Sequence, residues 1–163
     1  MNACNVRKAE ENDIPAIHEL LERYADLGIV LRRSREDIRR ALGNFFVAEM
    51  DGRFCGCSAL RDFGNELLEI RSLVVDPELQ GRGIGRAIID AIVRDVDARL
   101  SAWRLFTLTG QPEFFAKLGF RRVPRERFPE KIWSDCRNCP KNDCCDEIAL
   151  MRTVDDHRAP AAH

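Results

Sequence analysis

No apolar run in this 163-residue chain comes near the roughly 18 residues needed to cross a bilayer, so hydropathy gives no membrane span. Basic residues are not in excess: 26 Lys and Arg stand against 27 Asp and Glu, for a formal net charge of −1. That balance argues against sequence-independent nucleic-acid binding, which works by phosphate neutralisation and shows as a net basic domain. The opening residues, MNACNVRKAEEND, lack both the basic and the apolar region of a secretion signal, and the chain reads as cytoplasmic. There is no internal repeat and no low-complexity linker. Tyrosine occurs once, Tyr24, on a core-facing helical stripe where it reads as packing. Histidine is scarce as well: His18 has no partner at metal-ligand spacing, and His157 and His163 fall near the end. The length fits one domain over residues 1–153, with residues 154–163 as a tail that has nothing to bury and is expected to be disordered.

The elements follow from periodicity and punctuation. Asp13 precedes Ile14, Ile17, Leu20, Leu21 and Tyr24 at helical spacing, with Pro15 in the first turn, which predicts a helix capped by Asp13. Ser34-Arg35-Glu36-Asp37 resembles a capping box and predicts a second helix, with Ile38, Ala41 and Leu42 buried and Gly43 as its end. FFVAEM and RFCGCSAL flank Asp51-Gly52 and predict a β-hairpin. LLEIRSLVV and RLFTLT predict strands, PEFFAKLGF a short helix, and DEIALMRTV the last strand. Helices interleaved with strands give an α/β or α+β fold with a central sheet that is mixed but mostly antiparallel and has helices on both faces.

Between LLEIRSLVV and a helix carrying Ile84, Ile88, Ile92 and Val96 lies Gln80-Gly81-Arg82-Gly83-Ile84-Gly85. A strand, a glycine turn and a helix start gather unpaired backbone N–H groups at one point, where the helix dipole also favours negative charge. The glycines let an anion approach the backbone, and Arg82 and Arg86 can add charge. A tight turn with no ligand is the competing reading. Two phosphate loops are excluded by residue type: Arg86-Ala87 stands where a Walker loop needs Lys-Ser/Thr, and the loop comes too late in the chain for a dinucleotide fingerprint.

The segment starting at Gln80 resembles the Q-x-x-G-x-G signature of the GNAT N-acetyltransferases, LLEIRSLVV resembles their fourth strand, and Phe114-Phe115-Ala116-Lys117-Leu118-Gly119-Phe120 resembles their helix-to-strand segment near the C-terminus. The resemblance runs from about Val6 to Thr153 and implies acetyl-CoA as cosubstrate. It further implies splayed fourth and fifth strands, with backbone groups of 73–75 (Leu73, Val74, Val75) along the pantetheine arm. The diphosphate would rest on Gln80, Gly81, Arg82, Gly83, Ile84, Gly85 and Arg86.

Gly28-Ile29-Val30-Leu31-Arg32-Arg33-Ser34-Arg35-Glu36 resembles a segment of the N-acetylglutamate synthase family, in which it lines the amino-acid pocket. The likeness is to a short, stand-alone form without an amino-acid kinase domain. By that resemblance Arg33 meets a substrate carboxylate and the Leu31 carbonyl takes its amine, with Arg71 and Ser72 as further substrate contacts. Glu69 is the base that removes the amine proton, and Thr109 is the acid for the departing thiolate. Read from the residues alone, the arginine run is a solvated helix face paired with Glu36 and Asp37, and Glu69 is a solvent-facing strand carboxylate or a partner of Arg71. Phe115 occupies a position where many GNAT enzymes carry a tyrosine, and a phenyl ring donates no proton. Cys144-Cys145-Asp146-Glu147 also replaces the basic and hydroxyl residues that hold the substrate α-carboxylate in the long synthases, which leaves Arg71, Arg121, Arg137 and Lys141 as candidates.

Cys136, Cys139, Cys144 and Cys145 form a cysteine-rich insertion over residues 136–145. A Cys-x-x-Cys pair suits zinc, the adjacent pair does so poorly, and a reversible disulfide or reduced thiols compete with a metal. Cys55 and Cys57 alternate along a strand as packing residues, and no cysteine has a base beside it for an acetyl-enzyme role. The leading expectation is an amino-acid N-acetyltransferase acting on L-glutamate at the head of arginine biosynthesis, by direct amine attack in a ternary complex. Its partner is then a small-molecule amino acid, with no nucleic acid and no membrane, while oligomeric state stays open, a homodimer included. The alternatives are another amino acid, a small amine, a protein N-terminus or lysine as acceptor, or a non-catalytic coenzyme, redox or metal module.

Overall fold

The structure is a computed structural model that describes residues 4–124, 127 and 147–158. Among the described residues seven strands are hydrogen-bonded in the order β1-β2-β3-β4-β5-β7-β6. They are β1 (Cys4–Lys8), β2 (Phe45–Met50), β3 (Arg53–Asp62), β4 (Leu67–Val75), β5 (Arg104–Thr109), β6 (Arg121–Arg122) and β7 (Ile148–Thr153). The helices are α1 (Ile14–Asp26), α2 (Arg35–Arg40), α3 (Ile84–Arg99), α4 (Pro112–Ala116) and α5 (Val154–Arg158). β1, β2 and β3 run antiparallel in turn, as do β5, β7 and β6, whereas β4 and β5 are parallel. The mixed, mostly antiparallel sheet is therefore as expected. The β4–β5 ladder is short: it pairs Leu67, Leu68 and Glu69 with Arg104, Leu105 and Phe106.

The chain forms two compact units that share β4. One takes the residues up to Arg61 together with Ile70–Arg99, and the other takes Asp62–Glu69 together with the residues from Leu100 onward. In the first unit, Ile14, Ile17, Leu20, Leu21 and Tyr24 of α1 pack with Ile38, Phe45, Val47, Cys57, Ala59 and Val74. Ile84, Ile88, Ile89, Ile92, Val93 and Val96 give α3 its buried stripe. In the second unit, Leu67, Phe106, Ala149 and Met151 form the core, with the Phe63 and Phe106 rings 6.0 Å apart.

Local signals explain most boundaries. The Ser34 hydroxyl accepts from the Asp37 N–H at 3.1 Å and so starts α2, although the helix ends at Arg40 and a 3₁₀ turn, Leu42–Asn44, leads into β2. Asp51 and Gly52 take φ of 53° and 76°, both positive, as a tight two-residue hairpin turn requires. A strand not expected from the sequence, β1, pairs with β2 from Cys4↔Met50 to Lys8↔Phe46. Two expectations are corrected. Asp13 makes no side-chain cap on α1: its carboxylate accepts the Glu10 N–H at 2.7 Å and takes the Arg7 guanidinium through two bonds of 2.8 and 2.9 Å. The stretch after Thr153, expected to be unstructured, turns into α5, where the Asp156 carboxylate accepts from both the N–H and the hydroxyl of Thr153.

Gly56 on β3 lies close against the backbone of β4 and a side chain of α3. A Cβ there would lie 2.9 Å from the Val74 carbonyl oxygen and 3.4 Å from Ile88 Cδ1. Backbone cannot yield as a side-chain tip can, so Gly56→Ala is expected to destabilise the fold by about 1–3 kcal/mol. A chemical-denaturation midpoint equal to that of the parent would contradict this packing.

Candidate functional site

Irregular backbone in the first unit runs from the end of β4 to the start of α3. Asp76 ends the strand: its N–H donates to the Cys55 carbonyl at 2.9 Å and its side chain accepts the Glu78 N–H at 3.0 Å. A 3₁₀ turn, Pro77–Leu79, follows. Gly81 and Gly83 then adopt φ of 80° and 79°, and a Cβ on either would meet nothing within 4 Å. These glycines are therefore required by left-handed backbone and not by crowding, and the space beside them is open. The first helical bond of α3 runs from the Ala87 N–H to the Gly83 carbonyl at 3.0 Å. The N–H groups of Ile84, Gly85 and Arg86 thus occupy the first turn, where a helix has no intrahelical acceptors to offer. Arg82 and Arg86 are exposed beside this turn. Unpaired N–H groups at a helix start, with cations beside them, are able to bind an anion.

The predicted coenzyme residues do not all present side chains. Val74 is 2% and Ile84 1% exposed, both held in packing, so either can serve a ligand only through backbone. Leu73 and Val75 are half-buried. The Val75 carbonyl already accepts the Tyr24 hydroxyl at 2.6 Å, and that hydroxyl accepts the Gln80 side-chain amide at 2.6 Å. Tyr24, read from sequence as packing, is therefore also a polar contact at the loop. The helical stripe that places it was visible, but no local pattern marks partners 51 and 56 residues away.

The arginine run divides. Arg32 pairs with Glu22 and with Asp26, Arg39 with Glu11 and Glu36, and Arg40 with Glu36 and Asp37, as expected of a solvated face. Arg33 differs. Its guanidinium lies 5.2 Å from the centre of the Phe45 ring, and burial together with the repulsion of Arg71 and Arg61 pushes its pKa down, against the attraction of Asp37. Guanidiniums that repel one another beside an aromatic face are stabilised by an arriving carboxylate, which Arg can take bidentately. Leu31 is 59% exposed in the preceding loop, with Leu27 and Ile29 also exposed. Ser72 holds φ of 56° in the middle of β4, a left-handed strand residue that costs about 1–2 kcal/mol. Arg121, one candidate for the α-carboxylate, is paired with Asp156 at 2.9 Å, and Arg137 and Lys141 lie outside the described residues.

In the second unit, Glu69 is 3% exposed and forms the last pair of the β4–β5 ladder, opposite Phe106. The solvent-facing reading of this carboxylate is thereby overturned. Thr109 closes β5, and its hydroxyl oxygen accepts the Gln111 N–H at 2.9 Å, a bond that leaves the hydroxyl proton for donation. Phe115 is buried, its ring edge-to-face with Phe114 and Phe120.

Cys55 and Cys57 are fully buried, and burial pushes both thiols up to about 12, so neither supplies a thiolate nucleophile near neutral pH. Among the described residues no group of three or more His, Cys, Asp or Glu could hold a metal ion, and the 136–145 insertion lies outside them. No helix among the described residues is long and apolar enough to cross a membrane. A thiol reagent at about pH 8, near the ordinary thiol pKa, is expected to leave Cys55 and Cys57 unlabelled in the folded protein and to label both in denaturant. Rapid native labelling of either, located by peptide mapping, would contradict the burial.

Residues 41–122 match the family described as Acetyltransferase (GNAT) domain. An uncharacterized N-acetyltransferase of Chlorobaculum tepidum is 41% identical over 91% of this chain and 96% of its own length. An amino-acid acetyltransferase of Mycobacterium tuberculosis is 36% identical over 82% of this chain and 78% of its own length. N-acetylglutamate synthase of Neisseria gonorrhoeae, solved with coenzyme A and N-acetyl-glutamate, superposes with a TM-score of 0.83 at 30% identity. The match covers 93% of this chain but only 35% of that one.

Proposed function

The chain belongs to the GNAT family of acetyltransferases, and on that basis we propose that it acetylates the α-amine of L-glutamate from acetyl-CoA. The observation that carries the reading is the loop before α3, where Gly81 and Gly83 turn left-handed beside open space and deliver the chain to a helix start. Backbone N–H groups there suit the coenzyme's diphosphate. The amino-acid acceptor is supported by relatives of that activity and by Arg33, a cation disfavoured by burial and by the repulsion of Arg71 and Arg61 that a substrate carboxylate would relieve. In this role the enzyme supplies N-acetyl-L-glutamate to arginine biosynthesis.

The coenzyme contributes an activated acetyl group as a thioester. The substrate amine, neutral when it reacts, attacks the thioester carbonyl carbon; a C–N bond forms and the C–S bond breaks. Glu69, buried on β4, takes the amine proton through water, and Thr109 returns a proton to the leaving sulfur. A thiol titrates near pH 8.5, so the departing thiolate needs little assistance and Thr109 contributes less than Glu69. The high thiol pKa of Cys55 and Cys57 supports direct transfer without an acetyl-enzyme.

Coenzyme A release measured across the twenty amino acids is expected to favour L-glutamate strongly; equal rates on all would overturn the acceptor assignment. Glu69→Gln is expected to lower kcat by about 10²–10⁴, and Thr109→Ala by less. Arg33→Ala should raise KM for L-glutamate about tenfold or more with KM for acetyl-CoA unchanged, the loss of a charge-assisted pair. Wild-type kinetics in both Glu69→Gln and Thr109→Ala would remove their assigned roles.

A further inference from the structure

The hydroxyl of Tyr24 belongs to no step above, yet its surroundings are more specific than packing requires. The ring is 9% exposed within the core of the first unit. Its oxygen lies 2.6 Å from the Val75 carbonyl oxygen and 2.6 Å from the Gln80 side-chain nitrogen. Chemistry fixes the direction of both bonds. A carbonyl only accepts, so the single hydroxyl proton goes to Val75, and the lone pair facing Gln80 must receive an N–H. The Gln80 amide is thereby oriented with its nitrogen toward Tyr24.

Val75 and Gln80 are the residues on either side of the Asp76-initiated turn. Within that turn the Asp76 side chain and carbonyl accept the N–H groups of Glu78 and Leu79 at 3.0 and 2.8 Å. The Tyr24 hydroxyl closes the same turn from outside by bonding to both of its ends. We propose that Tyr24 is a positioning residue of the coenzyme site, its hydroxyl stapling the end of β4 to Gln80 so that the glycines enter their left-handed conformations already ordered. This rests on the reading of the loop as a coenzyme site and assigns to Gln80 a side chain that acts as a strut, directed to Tyr24 and not to the ligand. A loop held in its binding conformation before the ligand arrives spends less of the binding energy on ordering.

Calorimetric titration with coenzyme A tests this on the full chain. Tyr24→Phe keeps the ring and removes both bonds; Gln80→Leu removes one and leaves the Tyr24–Val75 bond in place. Each is expected to weaken coenzyme A binding roughly three- to tenfold, the range for a lost neutral hydrogen bond. Binding stoichiometry should stay at wild type, whereas a folding defect would lower the stoichiometry and not the affinity. The double variant is expected to bind no more weakly than the weaker single variant, because the two side chains act as one unit. Since Tyr24 is the only tyrosine of the chain, a fluorotyrosine label gives a single fluorine resonance, expected to move when coenzyme A saturates the protein and to be displaced beforehand by Gln80→Leu. Unchanged affinity in Tyr24→Phe, additive losses in the double variant, or a resonance insensitive to both perturbations overturns the positioning role. Wild-type protein that binds no coenzyme A overturns instead the reading on which it rests.

Discussion

The passage from β4 into α3 is the constraint on which the rest depends. A strand must end, reverse through a 3₁₀ turn and start a 16-residue helix whose buried stripe begins at its first residue, Ile84. Burying Ile84 fixes where the helix starts, and the chain between Leu79 and Ile84 then has few conformations left. Two left-handed positions, at Gly81 and Gly83, solve the path, and only glycine takes them without steric cost. The consequence is chemical. The first N–H groups of a helix anchored by the buried Ile84 are held beside open space, with the dipole adding to their attraction for an anion.

The rest of the first unit supports this point. Helix α1 buries one stripe against β2, β3 and β4, which brings its last turn to the end of β4. The same turn releases the chain into the loop that carries Leu31 and Arg33, and its Tyr24 reaches Val75 and Gln80 on either side of the glycine turn's approach. Arg33, half-buried, stands over the Phe45 ring, and burial and the repulsion of Arg71 and Arg61 disfavour its charge. A cation held at such a cost is the kind of group that site proposals rest on.

What could be read from residues, and what could not, divides by the range of the interaction. The hairpin was legible because Asp51-Gly52 is a local solution to positive φ, and the glycine loop for the same reason. β1 was missed because the alternation Cys4, Asn5, Val6, Arg7 is too short and carries too few apolar residues to signal a strand; its pairing comes from β2 and from Arg7 meeting Glu49 and Asp13. Asp13 was misread for a related reason: a capping residue also satisfies a distant guanidinium, and here the ion pair won. α5 did leave a signal, Thr153 followed three residues later by Asp156, but it was outweighed by the polar tail. Of the candidate site, residue types and order were visible. The left-handed Ser72, the crowding of Arg33 by Arg61 and the second role of Tyr24 arise only once the chain is folded.

A crystal structure with coenzyme A bound tests the central claim most directly. The account predicts diphosphate oxygens within hydrogen-bonding distance of backbone N–H groups between Gly81 and Arg86, with Gly81 and Gly83 still left-handed. A diphosphate bound elsewhere, with that turn open to solvent, would contradict it.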